Sequence, residues 1–398
     1  MKLEKMKNNL ILGTALISML FSCTTDDTSD INITDNSTTN NNSGGETPNP
    51  ETIFLSGTYT QDLILDANNT YKINGSLIMA SGTTLEIPAG MTIKALASGA
   101  NVYVAISQGA KIIANGTVNS PIVFTSDAST PSAGDWGGLI ILGKAPINSV
   151  AGNATSTSEI ASLPYGGTDA SDDSGIVRYV RVEYSGGAAD GQSENNGFSF
   201  YGVGNGTVVE YIQAFEGKDD GVEFFGGTVN ASYVSVINAQ DDSIDWTEGY
   251  TGTITNAYIK HGVNHDKGIE ADGYNTDFSN ATGYYSKPTI TNLTIIGQGS
   301  TTGNEAIRLR AGTQGIFNNV LINGFEEAFD LDGDAGDNPT GAGVISGDLY
   351  VSNITFTDVT LKMKNDTGET FTESDFISGE GNGTGTDYAS WGATWTVK

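Results

Sequence analysis

The stretch Phe198-Ser199-Phe200-Tyr201 decides the fold, because its pattern returns along the chain. It comes back as Val222-Glu223-Phe224-Phe225, Ile244-Asp245-Trp246-Thr247, Ile269-Glu270-Ala271-Asp272, Ile307-Arg308-Leu309-Arg310 and Phe329-Asp330-Leu331-Asp332. The first residues stand 24, 22, 25, 38 and 22 positions apart. In each block the first and third residues are apolar and the second and fourth mostly polar, which is the period of a half-buried strand. One such unit cannot bury its apolar face alone. A return every 22 to 25 residues therefore predicts stacked coils that share a core.

A companion strand precedes each later block. Val208 to Ile212 leads into Val222, Val229 to Val234 into Ile244, Ile254 to Ile259 into Ile269, Ile290 to Ile295 into Ile307, and Ile316 to Ile322 into Phe329. The expected fold class is all-β, a right-handed parallel β-helix with about 22–25 residues per coil. Short β-runs broken by Gly, Asn and Pro start at Tyr71-Lys72-Ile73 and continue to the end. Residues 51–398 thus read as one domain, with insertion loops expected near 143–174, 273–286 and 332–347. Loops that protrude from a solenoid commonly carry its specific contacts.

The N-terminus reads as an export signal. Lys2, Lys5 and Lys7 precede an apolar run from Leu10 to Phe21, which is too short to span a bilayer. Leu20-Phe21-Ser22-Cys23 resembles a bacterial lipobox. That resemblance implies a signal peptide over 1–22, palmitate-type lipidation of Cys23, and a membrane partner held through the lipid. Cys23 is the only cysteine, so a lipidated chain has no disulfide. Residues 24–50 lack aromatics and read as a tether reaching roughly 30 Å. Asp26, Asp27 and Asp30 just past the cysteine are similar to the signal that sends Bacteroidetes lipoproteins to the outer face of the outer membrane. The implied address is therefore the outer membrane, facing the cell exterior. The chain ends at Trp391, Trp395 and Lys398 without an obvious sorting domain, which fits anchorage by lipid.

The formal charge is −29. Removing residues 1–22, with three Lys and one Glu, takes away +2 and leaves −31. Such a surface repels phosphate, so nucleic acid is not an expected partner. It suits a solvated surface protein or one that collects cations.

Ser120-Pro121-Ile122-Val123-Phe124-Thr125-Ser126, followed by Gly134-Asp135-Trp136-Gly137-Gly138, resembles a family of surface β-helix lipoproteins of Bacteroidetes. The family carries no agreed biochemical activity, so the resemblance implies fold and address only. Trp136 reads as a turn residue covering the core in preference to a sugar platform, because Gly137-Gly138 runs straight into Leu139-Ile140-Ile141.

Chemistry must come from columns, since equivalent residues of stacked coils lie about 4.8 Å apart. The second block residues, Ser199, Glu223, Asp245, Glu270, Arg308 and Asp330, are expected to face out. So are the fourth, Tyr201, Phe225, Thr247, Asp272, Arg310 and Asp332. An acid should then be tolerated at Thr247 but not at Ile244 or Ile269. Asp219-Asp220, Asp241-Asp242 and Asp266-Lys267 stand just before the blocks. Neighbouring carboxylates at this spacing repel by about 1 kcal/mol in water and about 4 kcal/mol at a dielectric near 20. Interleaved Arg308 and Arg310 offset some of this; calcium is the candidate cofactor for the rest. The expected metal ligands are Asp330, Asp332, Asp334 and Asp337, in an alternating acidic loop that departs from the EF-hand at Ala335 and Gly341, and secondly Asp241, Asp242, Asp245 and Glu270. His261 and His265, near Asp266, read as exposed turn histidines.

The function expected from these signals is a non-catalytic surface protein with a binding or structural role, taking cations and glycans. Its partner would be a polysaccharide or an outer-membrane receptor. The alternative is a calcium-dependent polysaccharide lyase or a polygalacturonase-like enzyme, since right-handed β-helices host both. Asp241-Asp242-Ser243-Ile244-Asp245 resembles the paired-Asp strand of polygalacturonases, but the accompanying histidine and Arg-x-Lys motifs are not found. In the lyase version calcium at Asp245 and Glu270 would neutralise a uronate carboxylate, and Lys267, Arg308 or Arg310 would take the α-proton or hold the acid group.

Overall fold

The computed structural model describes residues 50–188, 195–333 and 339–398. The signal segment, Cys23 and the tether up to residue 49 lie outside the described residues, as do Asp334 and Asp337. The described chain winds as a parallel β-helix, with 23 strands joined coil to coil in one continuous sheet. A short antiparallel pair, Ser156–Thr157 with Pro164–Tyr165, stands apart from it.

The repeating blocks stack residue against residue. Phe198 pairs with Val222, Val222 with Ile244, Ile244 with Ile269, Ile269 with Ile307 and Ile307 with Phe329. Their first and third side chains form the core, with Phe198, Phe200, Phe224, Trp246, Ile269 and Leu309 buried. The column also extends backwards, to Leu139–Leu142 and Tyr103–Ile106. Those two strands are buried on both faces, so they show no alternation that would mark them as blocks.

Each companion strand is two short strands meeting at a sharp corner. The corner residues are Tyr179, Tyr211, Tyr233, Asn256, Asn292 and Asn319, all with φ between +48° and +60°. Asparagine tolerates this left-handed backbone because its amide can bond locally. Here Asn292 donates to Asn256, and Asn319 donates to Asn292. The tyrosines offset the strain by stacking, with Tyr179–Tyr211 rings 4.3 Å apart and Tyr211–Tyr233 rings 4.1 Å apart. The C-terminal residues fold back over this ladder. Trp395 is buried against Tyr179, and Gln213 Nε2 donates to Val397 O at 2.7 Å.

Trp136 is fully buried, with its indole N–H donating to Glu183 O at 2.8 Å. The next glycines permit the coil to close. A Cβ on Gly138 would lie 2.0 Å from Asn196 O.

Two insertions hold structure of their own. The one near 143–174 contains the antiparallel pair, and the one near 332–347 contains a helix, Thr340–Ser346. The segment near 273–286 carries no strand or helix. Among the described residues no helix is long and apolar enough to cross a membrane.

Candidate functional site: an acidic groove on the block face

The outward side of the block column carries three parallel rows of side chains. The first stands just before each block: Asn196, Asp220, Asp242, Lys267, Glu305 and Glu327. The second holds Ser199, Glu223, Asp245, Glu270, Arg308 and Asp330, and the third Tyr201, Phe225, Thr247, Asp272, Arg310 and Asp332. The first row is tight because small residues follow it. A Cβ on Gly221 would meet Val236 Cγ1 at 2.4 Å and Ser243 O at 2.6 Å. Each aspartate in this row also clamps the next coil. Asp220 Oδ1 accepts from Asp242 N at 2.9 Å, and Asp242 Oδ1 from Lys267 N at 2.8 Å.

The outward face is not open to solvent, contrary to the expectation for the second and fourth block residues. Ser199, Glu270, Asp330, Tyr201, Phe225, Thr247, Asp272 and Asp332 are all buried. At the N-terminal end the physical reason is the insertion near 143–174, which lays Ile147, Ile160 and Tyr165 over Tyr201 and Phe225; further along, the acids are closed in by their ion pairs with Lys267, Arg308, Arg310 and Lys364. Ile147, Ile160 and Tyr165 form a second apolar cluster with Tyr201 and Phe225. Tyr165 meets Tyr201 with ring centres 4.9 Å apart, and Tyr201 stacks on Phe225 at 3.9 Å. Glu248 ties the cover down, accepting from Tyr165 OH at 2.9 Å and Ser149 Oγ at 2.8 Å.

Beside this cover lies a groove of about 360 Å³ whose lining is almost wholly charged. Its two halves differ. In the C-terminal half acids and bases alternate. Lys267 Nζ sits 3.1 Å from Glu270 and 2.6 Å from Asp266. Arg310 bridges Glu270 at 2.5 Å and Asp272 at 2.6 Å; past the end of the groove lining, Arg308 grips Asp332 and Lys364 sits 3.3 Å from Asp330. Burial opposes the charge on Lys267, yet Asp242 and Glu270 raise its pKa above the ordinary value.

In the N-terminal half the rows are acid beside acid. Oxygens of Asp220, Glu223 and Asp245 come within 4.8 Å of one another, as do those of Asp242, Asp245 and Glu270, and those of Asp219, Asp220 and Asp241. Among the described residues none of Asp220, Glu223 and Asp245 makes a contact ion pair with Lys or Arg, although the charge of Arg310 reaches Asp245. Asn196 donates to Glu223 Oε2 at 2.5 Å. Asp245 Oδ1 is buried without a hydrogen-bond partner, and so is the Thr247 hydroxyl two residues along the same face. Burial, then the charges of their neighbours, drives the carboxyls of Asp220, Glu223, Asp242 and Asp245 well above the usual range. Such a set either holds protons at neutral pH or takes a hard cation, whose preferred ligands are carboxylate oxygens.

The structure thus brings Asp241, Asp242, Asp245 and Glu270 together, with Glu270 already committed to Lys267 and Arg310. It gives Asp332 to Arg308 and Asp330 to Lys364, while Asp334 and Asp337 of the same expected set lie outside the described residues. Glu159 and Asn196, which also line the groove, were not legible as site residues. Glu159 arrives on an insertion whose docking no repeat announces, and Asn196 precedes a block that looks uncharged. His261 also departs from expectation. It is buried, stacked 4.3 Å from His265, and pushed down to about 3 by burial and by that neighbour.

A parallel β-helix with a covered, charged groove along its stacked strands is the class of protein defined by fold and site. Within it, residues 57–396 match the model of the pectate-lyase-like β-helix domain, and the chain belongs to that family. Among solved structures it is similar to the catalytic domain of a GH87 α-1,3-glucanase in complex with nigerose, at 12% identity and a TM-score of 0.35. That match covers 85% of this chain and 70% of the other. The Dettilon tailspike protein is similar at 12% identity and a TM-score of 0.24, covering 74% of this chain and 62% of that one. At these values the likeness is one of fold alone. No curated protein matches the chain.

Proposed function

We propose that the chain is an exported, lipid-anchored protein of the outer cell surface whose groove binds calcium and, through it, an acidic glycan, without cleaving it. One observation carries this reading: Asp220, Glu223 and Asp245 converge in the groove, and none of them makes a contact ion pair with Lys or Arg. A hard divalent cation relieves that repulsion and leaves coordination positions for outside oxygens. An anionic sugar is otherwise repelled by this half of the groove, so calcium would act as the bridge.

The ion pairs weigh against the lyase alternative. A general base must lose its proton near working pH, whereas Lys267 and Arg310 are held more firmly protonated by their carboxylate partners. A second enzymatic reading draws on the raised carboxyls themselves. A protonated acid beside an ionised one is the pairing used in glycoside hydrolysis.

The test is a panel of neutral and uronate-bearing polysaccharides, probed with the purified protein in calcium or in EDTA. Retention on uronate polymers should need calcium and weaken roughly tenfold or more in Asp220→Asn/Asp245→Asn, a loss of about 1.4 kcal/mol. Retention that ignores calcium defeats the proposal, and release of new reducing ends moves it to hydrolysis. For the anchor, Cys23→Ala should abolish palmitate labelling and free the protein from membranes. A protein that resists protease on intact cells would count against the outward address.

A further inference from the structure

A second knot of acids lies towards the C-terminal end of the same face, outside the residues that line the groove. Glu305 opens the strand Glu305–Arg310 and pairs directly with Glu327 in the next coil. Asp330 follows three positions after Glu327. One carboxylate oxygen of each residue comes within 4.8 Å of the other two, and each residue also holds an unsatisfied oxygen: Glu305 Oε2, Glu327 Oε2 and Asp330 Oδ1. All three oxygens are buried, and none has a hydrogen-bond partner. Asp330 itself is only 3% exposed.

The nearby cations do not account for these oxygens. Lys364 sits 3.3 Å from Asp330 Oδ2, the other oxygen of that carboxylate, and is shared with Asp366 at 3.1 Å. It stands 4.0 Å from Glu327 Oε2, beyond hydrogen-bond reach. Arg308 is engaged by Asp332. Buried carboxylate oxygens without donors are rare, because each has given up its water for nothing in return. Burial raises the pKa of all three, against the pull of Lys364 on Glu327 and Asp330 and of Arg308 on Glu305, and the charge of Asp330 adds to the rise at Glu305 and Glu327.

We propose that Glu305, Glu327 and Asp330 form a binding site for a hard divalent cation, calcium foremost, separate from the acidic groove. Calcium–oxygen bonds run 2.3–2.6 Å, so two oxygens on one ion lie at most about 5 Å apart. One oxygen of each of the three carboxylates meets that limit, and water would complete the six to eight ligands calcium takes. The site uses Asp330 from the acidic loop noted in the sequence, but with two glutamates from the preceding row as its companions. Those glutamates stand 22 residues apart, so only the coil register joins them. The inference does not rest on the groove reading.

Calorimetric titration of the whole protein with calcium chloride, in chelator-stripped buffer at neutral pH, tests it. Three proteins are compared: wild type, Glu305→Gln/Glu327→Gln, and Asp220→Asn/Asp245→Asn. The glutamine pair should lose one bound ion that the groove variant keeps. In EDTA the glutamine pair should melt no lower than wild type, since it removes two unbalanced charges, and in calcium it should gain less. If the double variant does not fold, Glu327→Gln alone should show the same loss. An ion count equal to wild type in the glutamine variants overturns the site. So does a groove variant that binds no calcium at all. A groove variant with an unchanged count would overturn the groove reading while sustaining this one, and a wild type that binds none would overturn both.

Discussion

A carboxylate at Ile244 or Ile269 is expected to abolish the cooperative fold. Both side chains are buried in the block column, and Ile244 stacks in register between Val222 and Ile269. Removing a buried isoleucine costs about 2–5 kcal/mol, and an unpaired carboxylate in its place adds several more. The total is comparable with the whole stability of a typical domain, about 5–15 kcal/mol. Loss of the strand signal in circular dichroism, or of any melting transition, is the expected reading. Thr247→Asp is the informative control. Its position was expected to be solvated, but the cover over the face buries it between Phe225 and Asp272. It should therefore destabilise measurably in EDTA, though less than the core variants. Equal melting points for all three would show the in-and-out register to be wrong.

The second large effect is on pH and calcium. The carboxyls of Asp220, Glu223, Asp242 and Asp245 are raised in the folded chain, first by burial and then by one another. Between their ordinary values of 3.8 and 4.5 and the raised ones, the folded state holds protons that the unfolded state has lost. Stability must then fall as pH rises through that window. A carboxyl raised by one pH unit contributes about 1.4 kcal/mol to that fall. In EDTA the melting point should accordingly decline as pH rises above the ordinary carboxyl range. Asp127 and Asp348, held low by lysine partners, act in the opposite sense only below the ordinary range. Asp220→Asn/Asp245→Asn should flatten the decline. Calcium binding to the folded state alone should reverse it, by about 2.7 kcal/mol at a hundredfold excess over Kd. A flat profile in EDTA, with no response to calcium, would mean that these acids are already satisfied within the fold.

The block pattern alone determined the architecture, because apolar and polar residues alternating at a constant return admit only stacked coils. Phe198, Val222, Ile244, Ile269, Ile307 and Phe329 pair as their spacing implies, and that same register places Glu270 against Arg308 and Asp272 against Arg310. The strands at Tyr103 and Leu139 escaped as members of the block column, since strands buried on both faces lose the alternation. The left-handed corners at Tyr179, Tyr211 and Tyr233 escaped too, because tyrosine is not a residue that local chemistry sends there, and only the stacked ladder offsets the cost. Which acids matter was decided by tertiary structure. Sequence spacing sets a residue's row, but its solvation depends on what is laid over that row. The insertion carrying Ile147 and Tyr165 covers the N-terminal end of that face and brings Glu159 to the groove beside it, where stacked coils bury turn aspartates so that they need a proton or a cation.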